Sequence, residues 1–272
     1  MPRTRWLVLT PIVLLLGGLA YYVSWPAPTG PCCGAGAAGQ IERPPSNRTT
    51  LRIATFNIHG GKGRDDRRDL DRTAENLADL DFVALQEAVG PAPWESEGQV
   101  EQLARAAGMA WLFTPAERRW LSWKYGNGLL TALPLGSWRQ IPLAGAHDGS
   151  FRNAVVIDVE FGGRTVHVLL THLTQRDDRD RQSQLETVLA MFRDLPAPAV
   201  LLGDLNTMAD DPQIEHLLAT PDIVDPLRAL GKDTPGRIDW IIVRGLRPVA
   251  AGTRDNGASD HPLLWAELEL HE

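Results

Sequence analysis

Asp204 and Asn206 follow directly on the apolar run PAVLLG, in the stretch LLGDLNTMADDP at 201–212. Gly, Asp and Asn are turn residues whose side chains bond their own backbone, so the stretch reads as a turn. It also reads as a site: if the extended backbone continues, residues two apart share a face and both side chains aim at one place. The rest of the chain weighs on the choice. Asn57 comes late in LRIATFNI (51–58), Glu87 late in DFVALQEA (81–88), and His172 follows VHVLL. Asp239 sits inside RIDWII, and Asp260 and His261 open the last apolar run. Singly, these are ordinary turn residues, a helix-start acid and a hydrogen-bonded core histidine. Jointly they exceed what a core needs, and ligands of α/β sheets gather at strand ends. The set is rich in oxygen donors (Glu87, Asp204, Asp260, Asn57, Asn206), has two imidazoles and holds no cysteine. Hard oxygens suit Mg²⁺ or Mn²⁺, not a structural zinc. There is no serine elbow and no phosphate-cradling glycine loop. A hard cation beside a carboxylate–imidazole pair fits the attack of water on a phosphorus ester.

The elements that must hold these residues alternate between short apolar runs and helical stretches. Strands are expected at 51–58, 81–88, AWLF (110–113), GLLTALP (128–134), 154–161, 164–173, PAVLLGDLN, RIDWIIVRG and HPLLWAELEL. Helices are expected at 71–80, capped by Asp71 or Thr73, at 95–108, closed by Gly108, and at 178–195. Gly162 and Gly163 between two strands signal a hairpin. Hairpins mixed with strand–helix–strand units argue for an α/β domain with mixed sheets.

Seven segments, IATFNIHGG, FVALQEA, YGNGLLTALPL, LLTHLTQ, LLGDLNT, RIDWIIV and ASDHPLLWAEL, resemble in order the motifs of the endonuclease/exonuclease/phosphatase superfamily, over about residues 50–270. The resemblance implies a deoxyribonuclease I-like four-layer sandwich of two packed mixed β-sheets flanked by helices, with the site at one edge. It implies Glu87 as principal metal ligand, with Asn57 beside it and Asp260 next to the ion, Mg²⁺ or Mn²⁺. Asp204 would orient or deprotonate the attacking water and Asn206 would bind the scissile phosphate. His261, paired with Asp239, would contact the phosphate and exchange protons. His172 stands where deoxyribonuclease I and sphingomyelinase-like members have a histidine. Deoxyribonuclease I pairs that histidine with a glutamate from an earlier loop, and Glu117 is the nearby candidate here. Arg152 and Asn127 fall to substrate binding. Members of the superfamily cut DNA, RNA, phospholipids and inositol phosphates, so the family leaves the substrate open.

The ends of the chain add context. Arg3 and Arg5 precede Trp6–Val23, 18 residues without a charge, about the length of a bilayer core. Residues 1–23 are read as a membrane anchor, with a cleaved secretory signal as the alternative. Either places the remainder outside the cytoplasm. Residues 24–49, rich in Pro, Gly and Ala, read as a linker, and 50–272 as the catalytic domain. The adjacent Cys32 and Cys33 are assigned no chemistry. All 34 acidic residues and all but two of the 27 basic ones lie from residue 41 on, a net of −9. That balance disfavours tight duplex binding driven by phosphate neutralisation. The stretch PAERRWLSWKYGNG (115–128) is a local exception, where Arg118, Arg119 and Lys124 interleave with Trp120, Trp123 and Tyr125. It reads as a solvated loop with inward-packed Trp, as a nucleic-acid platform of phosphate contacts and stacking, or as a bilayer contact. Interleaving favours nucleic acid over phospholipid, with Trp120, Trp123 and Lys124 in the substrate-binding set.

Overall fold

A computed structural model describes residues 3–24, 27–39, 49–92, 94–118, 125–145 and 149–270. In chain order the first elements are α1 (Arg3–Ser24), β1 (Ala27–Pro28), β2 (Cys32–Ala35), β3 (Thr50–Asn57), α2 (Leu70–Glu75), β4 (Phe82–Val89) and α3 (Gln99–Ala107). Then follow β5 (Ala110–Arg118), β6 (Tyr125–Thr131), β7 (Leu135–Pro142), β8 (Asn153–Phe161), β9 (Arg164–His172) and α4 (Asp178–Asp194). The chain closes with β10 (Ala199–Asp204), α5 (Pro212–Leu218), β11 (Ile223–Val224), α6 (Pro226–Ala229), β12 (Asp239–Arg244), β13 (Leu246–Arg254) and β14 (Leu263–Leu270).

Two seven-stranded sheets result, ordered β1-β5-β6-β4-β3-β14-β13 and β11-β12-β10-β9-β8-β7-β2. Each is mixed: β3 runs parallel to β4, and β9 to β10, while their outer neighbours are antiparallel. The central strands are apolar on both faces because both faces are covered. Ile53 and Phe82 of the first sheet meet Ile157, Leu170 and Val200 of the second between the sheets. The residues next in line, Phe56, Val83 and Leu85, pack outward on Leu77, Val100 and Leu103 from the α2–α3 side. On the other flank Leu169, Leu201 and Trp240 bury Leu185, Phe192 and Leu217 of α4 and α5. Helix, sheet, sheet, helix is the expected four-layer sandwich.

Several boundaries differ from the sequence expectation, each for a local reason. Helix α2 is capped by Asp69, whose carboxylate accepts from the Arg72 amide, not by Asp71 or Thr73. It is also shorter than 71–80. Helix α3 ends where expected, with Gly108 left-handed at φ +63. At the hairpin Gly162 and Gly163 both take positive φ, as a tight turn between twisted strands requires. Strands β7 and β13 lack clean alternation (Leu135–Pro142 holds Gly, Ser, Arg and Gln) and were not expected.

Residues 27–39, expected to be linker, are laid across the open edge of both sheets. Ala27 and Pro28 pair with Arg118 and Glu117 of β5, and Cys32–Ala35 pair with Gln140–Ser137 of β7. Thr29 Oγ1 donates to Pro115 O at 2.5 Å, while Gln140 Nε2 donates to Thr29 Oγ1 and Pro115 O. Ala38 then bridges back to Trp111. The segment is a strap between the sheets, and it leaves both cysteines free and exposed. The expected anchor coincides with α1, yet among the described residues no helix is long and apolar enough to cross a membrane. The structure therefore lends that anchor no support.

Candidate active site

The expected residues converge at one end of the sandwich because parallel neighbours deliver their last residues together. In the register of the second sheet Asp204 lies beside His172 on one side and Asp239 on the other. Asn57 ends β3 in the first sheet and reaches across: its Nδ2 donates to Asp204 Oδ2 at 3.0 Å and to Glu87 Oε1 at 3.3 Å. An amide thus bridges two carboxylates from opposite sheets. Ser259 Oγ donates to the carbonyl of Asn57 at 2.7 Å and accepts from the His261 amide, which pins the loop before β14 to β3.

The backbone at the site is held in unusual conformations. Among the described residues five non-glycine residues take positive φ, and three of them, His59, Glu87 and Asn206, line this end. Such conformations cost of order 1–3 kcal/mol each and persist where surrounding structure enforces them. Glu87 lies at a β4–β6 register shift, a bulge that re-aims its side chain. Asn206, at φ +49, shows that the extended backbone does not continue past Asp204. Its amide bonds Asp204 Oδ1 at 2.9 Å and its side chain donates to Leu173 O. The stretch is thus a turn, in which Asp204 holds the Asn206 backbone amide while the Asn206 side chain is engaged by Leu173 O. Gly203 just before it is required, since an added Cβ would stand 1.9 Å from Thr171 O.

The charges are strongly coupled. Burial, and then the facing Asp239, push the Asp204 carboxyl up to about 7, against the pull of His261, Asn57 and the Asn206 amide. His261 donates through Nδ1 to Asp239 Oδ2 at 2.7 Å, and its Nε2 lies 3.9 Å from Asp204 Oδ2. Burial opposes its charge, but the Asp239 bond and the acids Asp239, Asp204 and Asp260 outweigh that and raise it to about 9. His172 is the contrary case. Burial first, then the charges of Arg152 and His261, hold it well below its usual value, so it stays neutral 3.6 Å from Asp204. Glu117 is buried in β5 opposite Tyr125. The carboxylate beside His172 is Asp204.

Asp204, Asp239 and His261 offer ligand atoms within 4.8 Å of one another, and Asp239 Oδ1 is buried without a hydrogen-bond partner. A cation-binding role fits that orphaned oxygen and the hard donor set. The expected ligands are arranged differently: Glu87 and Asn57 adjoin Asp204, but Asp260 faces solvent beside Ser259 Oγ and His59 Nδ1.

Arg152 has a buried Nε with no partner, and its guanidinium lies 6.0 Å from the Tyr125 ring. Asn127 is buried like Asp204 and His172. It donates to Asn153 Oδ1 at 2.8 Å, joining β6 to β8, with its own Oδ1 unpaired. Trp120, Trp123 and Lys124 lie outside the described residues. Two site residues, His59 and Ser259, were not singled out from the sequence, and Tyr125, whose hydroxyl bonds Glu87, was read only as part of the 115–128 stretch. Each sits inside a quoted motif, where only its proximity in space reveals a role.

The fold is shared with solved structures, among them the following three. An endonuclease/exonuclease/phosphatase from Beutenbergia cavernae DSM 12333 is 24% identical with a TM-score of 0.65, over 82% of this chain and 72% of its own. D. rerio TDP2 complexed with single strand DNA product is 19% identical with a TM-score of 0.60, over 82% and 100%. The human Nocturnin catalytic domain with bound sulfate anion is 19% identical with a TM-score of 0.64, over 82% and 94%. At these identities the likeness is one of fold. No sequence of a curated protein matches the chain. The model of the Endonuclease/Exonuclease/phosphatase family matches residues 54–261, which span the convergent strand ends from β3 to His261, and the chain belongs to that family.

Proposed function

We propose that the protein is a divalent-metal-dependent phosphodiesterase, nuclease-like in its substrate. The observation that carries this is the facing pair Asp204 and Asp239 with His261 hydrogen-bonded to one of them. Burial and the facing Asp239 raise the Asp204 carboxyl toward neutral pH, the direction that suits a general base. Asp204 takes the proton of the attacking water. Asp239 holds His261 through Nδ1, leaving its charged Nε2 for the phosphate. Arg152, whose Nε has no partner, offers its guanidinium to the same anion. His172, held neutral by burial 3.6 Å from Asp204, flanks that carboxyl without adding a charge to it. Glu87 and Asn57 would hold Mg²⁺ or Mn²⁺ with Asp204 and Asp239 adjoining, and the cation would neutralise charge building on phosphate oxygens.

Nucleic acid is favoured over phospholipid as substrate on two supports. One is the basic and aromatic stretch at 115–128. The other is the single strand DNA product with which one structural neighbour, D. rerio TDP2, is complexed. A location outside the cytoplasm rests on the sequence of residues 1–23 alone.

The test is turnover by the full chain in detergent, with Mg²⁺ or Mn²⁺, on plasmid, single-stranded DNA, RNA, sphingomyelin, phosphoinositides and an aryl phosphodiester. Metal-dependent cleavage of at least one diester is expected. Turnover that survives EDTA ends the metal-dependent reading, and a phospholipid preference ends the nuclease-like one.

A further inference from the structure

Arg237 lies two residues before Asp239 and is buried behind it, with its side chain 4% exposed and that of its partner Asp225 1%. All three arms of the guanidinium are engaged. One terminal nitrogen donates to Asp225 Oδ2 at 2.5 Å, Nε donates to Asp233 Oδ1 at 2.9 Å, and the other terminal nitrogen donates to the carbonyl of Asp239 at 2.9 Å. Its plane stands 4.2 Å from the Trp240 ring. Trp240 in turn donates its indole N–H to Thr207 O at 2.8 Å, one residue beyond Asn206.

A buried ion pair adds little net stability over an apolar packing of the same volume, so its presence calls for another reason. The bonding pattern supplies one. The guanidinium takes the carbonyl oxygen of Asp239 and leaves its carboxylate to His261, 2.7 Å away. Asp225 and Asp233 meet the cation's charge, so it does not draw that carboxylate off the imidazole. Asp225 is itself fixed as the cap of α6, accepting from the Leu227 and Arg228 amides. The chain of contacts from α6 through Arg237 and Trp240 thus clamps both backbone segments that carry Asp239 and Asn206.

We propose that Arg237 is a positioning residue for the Asp239–His261 pair, with Trp240 and Asp225 as its supports. The role rests on the phosphodiesterase reading above. Lysine at this position keeps a cation but has neither the planar fork nor the stacking face, so it separates charge from geometry.

The experiment compares wild type, Arg237→Lys, Asp239→Asn and the double variant, with Asp233→Ala as a milder change at a half-exposed position. Kinetics use an aryl phosphodiester with Mn²⁺. Thermal melting is followed alongside, and proton NMR follows the downfield Nδ1–H resonance of His261, assigned by its loss in His261→Gln. Arg237→Lys is expected to lower kcat roughly tenfold or more, as a small misplacement of a reacting group does, with KM within about twofold. It should shift the resonance while the protein stays folded. In the Asp239→Asn background it should add nothing, since coupled residues are not additive. Asp233→Ala should move kcat and the resonance in the same direction by less, and it decides the matter should Arg237→Lys not fold. Wild-type kcat in Arg237→Lys, an unmoved resonance, or an equal loss on the Asp239→Asn background overturns the proposal. If wild type turns over no ester at all, the phosphodiesterase reading falls on its own, and the resonance still judges the placement.

Discussion

At the residue scale the tension lies between Asp204 and Asp239, two buried carboxylates directly opposite in adjacent strands. In the unfolded chain an aspartate loses its proton near pH 4, whereas in the fold Asp204 keeps it up to about 7. Between those values the folded state binds more protons. The contribution of Asp204 to stability is therefore fully present below pH 4 and is lost as pH rises through about 7. His261, raised from 6.5 to about 9, extends the decline over that higher range. Asp204→Asn should lower kcat by at least ~10². It should also raise the melting temperature at pH 8 and leave it nearly unchanged at pH 4, both measured without added metal. An unchanged or lower melting temperature at pH 8 would show that the carboxylates do not repel as argued. Most of this site was legible because Asp204, Asn57 and His172 interrupt apolar runs at strand ends, where a core has no use for them. Ser259 was not, and Tyr125 was read only as part of the 115–128 stretch, since a serine in a loop and a tyrosine in a strand have ordinary uses. The bulge that turns Glu87 inward leaves no mark in the sequence either.

Elements were readable where their period was clean. The continuous apolar runs of β3, β4, β9 and β10 state that both faces are buried, and from that the four layers follow. Strand β7 is mixed in character because it lies near an edge and its partner is the strap. The strap itself reads as linker, since Pro, Gly and Ala carry no side-chain period. Its hold is mostly backbone pairing, together with Thr29 and Gln140. Free sheet edges invite pairing with other chains, and covering them is a common remedy. A chain beginning at residue 41 should accordingly melt roughly 5 °C below one beginning at residue 25, given about 1 kcal/mol per lost hydrogen bond offset by released chain entropy. It should also self-associate through the bared strands β5 and β7, as sedimentation would show. Equal melting temperatures and a monomeric short chain would mean that the strap merely rests on the edges.

On the scale of the whole molecule, the strap decides where the N-terminal helix is attached. Only residues 25 and 26 separate Ser24 at the end of α1 from Ala27 in β1. Ala27 pairs with Arg118, and the preceding residue of β5, Glu117, pairs with Tyr125 at the rim of the site. The helix therefore joins the body at the active-site end. Its side chains at Ile12, Val13, Leu14, Leu15, Leu16 and Leu19 are exposed, with no cover among the described residues. Cover by lipid follows from the apolar run and the preceding Arg3 and Arg5 as a proposal. In fractionation with an antibody to the C-terminus, full-length chain is expected in the membrane pellet, released by detergent and retained in high salt. Soluble chain with an N-terminus between residues 24 and 40 would instead identify residues 1–23 as a removed signal. The position of that cut would matter in its own right, because a cut before Ala27 spares the strap and one beyond Ala38 removes it.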